Sequence, residues 1–423
     1  IYSNADNNIC YTILETELPA PLSLDISVEE ILMKRISIRN YTDQPVTDKQ
    51  LSTVLWSAYG KRSDGSYTVP KFNGTYAVVI YIIKEDAVYI YNPENHSLIF
   101  YKEGDYRDMV SDQAWQYWAP VQLGLCYDID LSDRNFAAAQ AGAVGQNIYF
   151  SAIAQNLATI ITTSNESDPE PIGLKENHKG IAMMPLGHSR YEYNLKYRPF
   201  CISLLPKIVF SEKNLTTSLK KRETVMEWSN EKLTRKDISH LTWSSYGYSY
   251  YVDKTYADLG LVRRHHTVPS GHGYYPFRIY VVTETGIYRY VYGLFTIDRS
   301  ISWLHIRAIG AGIPSYFFLP VSLGDYREDI GKASEDFVKN APYCLIPVLD
   351  IKKTNSWDDL SGEEDRWNWY YEAGASSYNV LIEAASRDLS GTVVPIIDKE
   401  SICNLLKLNS EKFDPMFVVP VGK

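Results

Sequence analysis

Leu32–Gly60 reads LMKRISIRNYTDQPVTDKQLSTVLWSAYG, and Leu219–Gly247 reads LKKRETVMEWSNEKLTRKDISHLTWSSYG. Overlaid at an offset of 187 residues, Lys34 meets Lys221, Arg35 meets Arg222, Thr47 meets Thr234, Trp56 meets Trp243, and Gly60 meets Gly247. The agreement continues in order along the chain. TVP at Thr68 meets TVP at Thr267, and GDYR at Gly104 meets GDYR at Gly324. AQAGAVGQNIYF from Ala139 meets YEAGASSYNVLI from Tyr371, and PLG at Pro185 meets PVG at Pro420. The offset climbs through 199, 220 and 232 to 235 and never falls, as insertions into the second copy's loops would make it. One such block can arise by chance, but five in order mean that the chain is a duplication.

Each copy predicts the same elements. A helix carries the Lys-Arg pair, and a second follows the caps Thr47 and Thr234. Two β-rich runs come next, TYAVVIYII and AVYIYNPENHSLIFY in the first copy, with Asn-Pro-Glu-Asn as the turn. A long helix is expected over AGAVGQNIYFSAIAQNLATII, where apolar residues keep helical spacing. A last strand, IAMMPLG or MFVVPVG, closes each copy. This order indicates an α+β fold. No GxGxxG follows a strand, so a doubly wound dinucleotide fold has no support.

Bulk properties narrow the function. With 45% hydrophobic and 22% charged residues, the 423-residue chain has the composition of a soluble globular protein. A net charge of -9 argues against a nucleic-acid partner, which needs basic surface. No apolar run nears the ~18 residues of a membrane span, and no leader segment is read, so the expected compartment is the cytoplasm. Cysteines at 10, 126, 201, 344 and 403 form no CxxC pair and read as free thiols. His265, His266 and His272 have no Cys or carboxylate at ligand spacing, so no metal is expected. The 34 tyrosines offer flat faces with a polar handle, which would suit a planar ligand.

The chemistry-bearing stretch is KRISIRNY. Arg35, Ser37 and Arg39 stand two residues apart, two guanidinium groups around a hydroxyl. Arginine binds phosphate in a forked, charge-assisted geometry. At a helix start the dipole and free N–H groups would add to the attraction for an anion.

The order of these blocks resembles the FMN-dependent nitroreductase superfamily, especially its SagB-like dehydrogenase branch. That family opens with Arg-x-Ser-x-Arg/Lys at the FMN phosphate, continues with a Pro-Ser segment, and carries Gly-x-x-Gln-Asn on its long helix. Here these are Arg35-Ser37-Arg39, Pro269-Ser270, and GAVGQN from Gly142 to Asn147. A late Lys-x-Arg pair matches Lys196 and Arg198. The resemblance covers nearly the whole chain, twice. It implies two nitroreductase-like domains, 24–205 and 206–423, each a mainly antiparallel sheet flanked by helices, joined as an intramolecular pseudo-dimer.

Relatives are usually homodimers with FMN across the interface, the phosphate motif coming from one subunit and Pro-Ser from the other. Carried over, copy one supplies Arg35, Ser37, Arg39, Lys196 and Arg198, and copy two supplies Pro269 and Ser270. Copy two has Met226 in place of the second arginine, and copy one has Pro70-Lys71 in place of Pro-Ser. The retained motifs are complementary, so one working flavin site and one decayed site are expected. The resemblance implies an oxidoreductase moving hydride through flavin, with NAD(P)H as a donor and a small-molecule substrate, in a monomer acting as a pseudo-dimer. An azoline or peptide dehydrogenase with a peptide substrate, and a non-catalytic flavin-binding protein, stay open as alternatives. No catalytic side chain is assigned. For Arg107 and Arg327 of the GDYR repeats a structural ion pair is expected.

Overall fold

The computed structural model describes residues 14–111, 114–162, 169–190, 192–193, 202–229, 231–249, 265–297, 311–355 and 359–423. The first sheet holds β1 (Glu15–Glu17), β2 (Val78–Ile83), β3 (Ala87–Asn92), β4 (Ser97–Glu103), β5 (Val121–Asp128), β6 (Leu157–Thr159) and β7 (His178–His188), in the order β1-β4-β3-β2-β5-β7-β6. After β8 (Ile202–Ser203), a short ribbon pairs β9 (Tyr248–Ser249) with β10 (His265–His266). The second sheet adds β11 (Phe277–Thr283), β12 (Gly286–Ile297), β13 (Ala311–Leu323), β14 (Tyr343–Asp350), β15 (Ser390–Gly391), β16 (Val394–Pro395), β17 (Phe413–Pro415) and β18 (Phe417–Gly422). Its main path is β15-β18-β14-β11-β12-β13-β8. Read from β6 and from β15, the two sheets repeat one topology, β6-β7-β5-β2-β3-β4 against β15-β18-β14-β11-β12-β13. Among the described strands every pairing is antiparallel except β8 with β13. The fold is α+β, as the element order implies.

The helices are α1 (Val28–Lys34), α2 (Asp48–Tyr59), α3 (Ala114–Tyr117), α4 (Arg134–Ala154), α5 (Leu215–Lys221), α6 (Arg235–Tyr246), α7 (Arg327–Ala333), α8 (Arg366–Ser386) and α9 (Lys399–Leu405). Thr47 and Thr234 start α2 and α6 with full capping boxes, closed by Gln50 and Asp237. The long helix begins earlier than its sequence suggested and ends sooner. Asn156 takes a left-handed φ of 56°, and Leu157–Thr159 turns back to pair with β7. NLATII is therefore strand and turn, because those apolar residues complete a sheet edge.

Residues 137–153 of α4 and 371–386 of α8 are buried on every side, as expected of helices enclosed by protein all round. They cross where glycine permits it. A methyl on Gly142 would lie 2.0 Å from the carbonyl oxygen of Tyr371, and one on Gly374 would lie 2.0 Å from that of Ala139. Gly142 and Gly374 are repeat counterparts, as are Ala139 and Tyr371, so the contact is reciprocal. Two further counterparts, Ser27 and Asn214, pair with each other directly. A residue meets its own counterpart only on a two-fold axis, and this is the isologous geometry of a homodimer held within one chain.

One large core spans both copies. It joins Leu32, Leu55, Ile148 and Phe150 to Leu219, Trp243, Tyr378 and Val419. Each such side chain contributes roughly 1.5–3 kcal/mol by leaving water. Among the described residues, Cys126, Cys344 and Cys403 are free and buried, and no helix is long and apolar enough to cross a membrane.

Candidate functional site

The Arg-x-Ser-x-Arg segment lies at the end of a helix, not at its start. Arg35 is the C-cap of α1, and the chain runs on extended, with Ile38 donating its N–H to Thr159. The corrected position changes the electrostatics. A helix C-terminus carries partial negative charge and favours the arginine, not an anion. The dipole therefore gives a phosphate no help here, and any anion is held by side chains.

Arg35 is 1% exposed, Ser37 half-buried and Arg39 exposed. The Nε of Arg35 donates to His266 O at 2.7 Å, so copy one's arginine grips copy two just before Thr267. Its Nη1 is buried and has no hydrogen-bond partner among the described residues. The Ser37 hydroxyl is 2.9 Å from the Tyr149 hydroxyl of α4, which also accepts the N–H of Ile161. The Arg39 guanidinium lies over the Trp115 ring, 5.6 Å from its centroid.

Copy two brings its segment to the same place. Pro269 is buried, and the hydroxyl of the half-buried Ser270 lies 2.6 Å from Glu372 Oε2 while accepting the Tyr275 N–H at 2.9 Å. Tyr246 donates to Glu372 Oε1. Burial pushes the Glu372 carboxyl up to about 8, against weaker lowering by Ser270, Tyr246 and the nearby Arg35. Gln146 donates to Thr267 O at 3.0 Å and to Asn379 at 2.6 Å. The structure thus brings Arg35, Ser37, Pro269 and Ser270 into one region between the copies. Lys196, Arg198 and most of the loop after Tyr248 lie outside the described residues.

The counterpart region is arranged differently. Every side-chain nitrogen of Arg222 has a partner: Nε takes Thr68 O, Nη1 takes Thr224 Oγ1, and Nη2 takes Tyr67 O and Val69 O. Burial pulls its pKa down to about 10, and Arg62 adds to the fall. Arg62 lies across the carbonyls of Leu219, Lys220 and Arg222. Its counterpart in copy two is the small Ser249. Met226 is exposed, and Lys71 lies over Tyr76.

Reading the sequence alone missed Tyr149, Tyr246, Arg62 and Glu372. The aligned blocks held one usable signal, since Gln140 stands where copy two has Glu372. Gln140 binds its own copy's backbone, accepting from Ala77 and Val78 and donating to Pro70 and Thr75. Arg107 and Arg327 each clasp the aspartate two residues before them, as the expected structural pairs.

Among the described residues, one His/carboxylate cluster has close spacing: Glu29, His240 and Glu383, at the contact between copies. The N–H of Val209 points at His240 Nε2, so Nδ1 carries the ring proton and donates to Glu383 at 2.9 Å. Arg387 Nη1 stands 3.2 Å from Nδ1. A protonated Nδ1 beside a guanidinium is a poor cation ligand, and the cluster reads as a buried hydrogen-bond network. Burial raises both carboxyls, Glu383 to about 7.

The nitroreductase family model matches residues 32–188 and 219–423. A protein of Methanocaldococcus jannaschii, provisionally named a nitroreductase, is 28% identical over 189 residues, covering 40% of this chain and 96% of its own length. A solved structure from Anabaena variabilis, provisionally named likewise, superposes with a TM-score of 0.63 at 14% identity, over 96% of this chain and 94% of that one. That likeness shows the fold and spans both copies. A structure from Ralstonia eutropha is 25% identical over 42% of this chain and 90% of its own, with a TM-score of 0.39. The chain belongs to the nitroreductase family of oxidoreductases and carries the family's domain twice.

Proposed function

We propose that the protein is an FMN-dependent oxidoreductase acting as a monomeric pseudo-dimer, with one flavin site per chain between its two copies. The observation that carries this reading is the unpartnered, buried Nη1 of Arg35, set against the fully partnered Arg222. A buried guanidinium N–H without an acceptor is costly, and an electron-rich ligand atom would satisfy it. At the counterpart position each guanidinium nitrogen of Arg222 already has an acceptor.

Arg39, exposed beside Trp115, is placed for a phosphate that stays partly in water. In this reading Lys196 and Arg198 complete the charge around that phosphate, and Ser37 gives it a hydroxyl donor. Pro269 and Ser270 line the ring from copy two. Arg35 contributes buried positive charge, which favours a ligand that becomes anionic on reduction. When bound, FMN supplies the hydride acceptor and donor at N5. NAD(P)H or a reduced substrate would be the hydride donor, and a second small molecule the acceptor.

The test is the absorbance spectrum of the purified protein, before and after reconstitution with FMN. About one flavin per chain, bleached anaerobically by NADH or NADPH, is expected. A stoichiometry near two, or no bound flavin at all, overturns the proposal.

A further inference from the structure

The two copies differ chemically at one buried position on the long helix. Copy one has the amide Gln140, engaged with its own copy's backbone and with the Tyr59 hydroxyl. Copy two has Glu372, 1% exposed, touching two hydroxyls and, among the described residues, no cation at hydrogen-bond distance. One of those hydroxyls belongs to Ser270, at the edge of the proposed flavin site. We propose that Glu372 is a positioning residue that decides whether the Ser270 hydroxyl donates into the flavin site or back into the protein. The inference rests on the flavin reading above and deepens it.

Hydrogen-bond capacity dictates the two arrangements. A hydroxyl has one hydrogen and two lone pairs. The Tyr275 N–H occupies one lone pair of Ser270. If Glu372 is a neutral acid, the fully buried Tyr246, with no other acceptor among the described residues, donates to Oε1, and the acid's own proton goes to Ser270. Both lone pairs of Ser270 are then filled, and its hydrogen is free to point at the site. If Glu372 is ionised it only accepts, so Tyr246 and Ser270 must both donate to it. The Ser270 hydrogen then turns inward, and a negative charge is added beside the ligand.

The surroundings leave Glu372 as the titrating member. Tyr246 on α6 and Tyr371 on α8 are held far above neutral by burial, and Tyr246 further by Glu372 itself. His266, packed against Tyr246 with ring centroids 5.3 Å apart, is pushed down to about 3. Among the described residues Arg35 is the remaining charged neighbour, and its pull keeps the carboxyl from rising further. Burial sets Glu372 at about 8, so the neutral, outward-donating arrangement holds near pH 7.

The test measures FMN affinity by fluorescence quenching between about pH 7 and 9, where the phosphate of FMN is already doubly charged. In the unmodified protein the Kd should rise above about pH 8, by up to about tenfold per pH unit. Glu372→Gln keeps an acceptor and a donor without ionising, so its Kd should stay flat and tight. In Ser270→Ala the pH break should shrink to the part that the added charge alone exerts. The carboxylic-acid band of Glu372 in pH-difference infrared spectra reads the titration without flavin, and should be missing in Glu372→Gln. A pH break that persists in Glu372→Gln, or that is undiminished in Ser270→Ala, overturns the positioning role while leaving the flavin reading intact. No FMN binding by the unmodified protein at any pH overturns both.

Discussion

Gly142 and Gly374, counterparts in the repeat, pack reciprocally: each leaves room for the backbone carbonyl three residues before the other. This contact fixes how closely the two copies approach, and everything at the shared site depends on that distance. Gly142→Ala places a methyl 2.0 Å from Tyr371 O, and backbone cannot move aside as a side chain can. The gain in helix propensity is at most about 1 kcal/mol. Overpacking costs up to about 3 kcal/mol or more. The variant should lose roughly 2 kcal/mol, read as a lower urea midpoint, and Gly374→Ala should behave alike.

Gln146 and Asn379 bond across the interface at 2.6 Å, and their counterparts Tyr378 and Asn147 at 2.8 Å. Pairs in contact couple energetically. A double-mutant cycle with Gln146→Ala and Asn379→Ala should give a coupling on the order of 1 kcal/mol. Strict additivity would show that the two copies are not held together through this pair.

Arg39 and Arg222 should separate function from stability. Arg39 is exposed, so Arg39→Ala should change stability by only about 0.5 kcal/mol while flavin content falls sharply. Arg222→Ala strips donors from the buried carbonyls of Tyr67, Thr68 and Val69. It should cost roughly 3 kcal/mol, yet the flavin bound per folded chain should not change. Melting temperature and flavin absorbance on the same samples check both.

His266 gives the protein an acid-sensitive core. Burial holds its imidazole down to about 3, below the ordinary value of about 6.5. Below pH 6.5 the unfolded chain binds a proton that the folded chain refuses, so this group's contribution falls as pH drops. The loss reaches at most about 1.4 kcal/mol per pH unit. Glu372 acts in the opposite sense, because its raised carboxyl costs stability as pH climbs from about 4.5 toward about 8. His266→Phe should therefore gain on the unmodified protein steadily as pH falls from 6.5 to 5, measured by urea midpoints. A constant difference would show that the imidazole titrates normally.

The amino-acid order by itself determined the duplication, because aligned blocks with a growing offset are a property of the covalent chain. It also determined the local starts: Thr47 and Thr234 cap their helices within three residues, where no long-range contact is needed. It carried the long helix but not its end, since Leu157–Thr159 is drawn into strand only by β7, more than twenty residues on. Arg35, Ser37, Pro269 and Ser270 were legible as residues of interest, and the contacts each makes were not. Arg35 and Arg222 sit in matching sequence at matching helix ends, yet one keeps a free buried donor and the other does not. The difference is made by Thr224, two residues along, and by the carbonyls of Tyr67, Thr68 and Val69, which only the folded approach of the two copies brings near. Glu372 shows the same limit. In sequence it is one acid on an apolar helix, and only burial beside Tyr246, Ser270 and Arg35, brought together from distant parts of the chain, decides when it holds its proton.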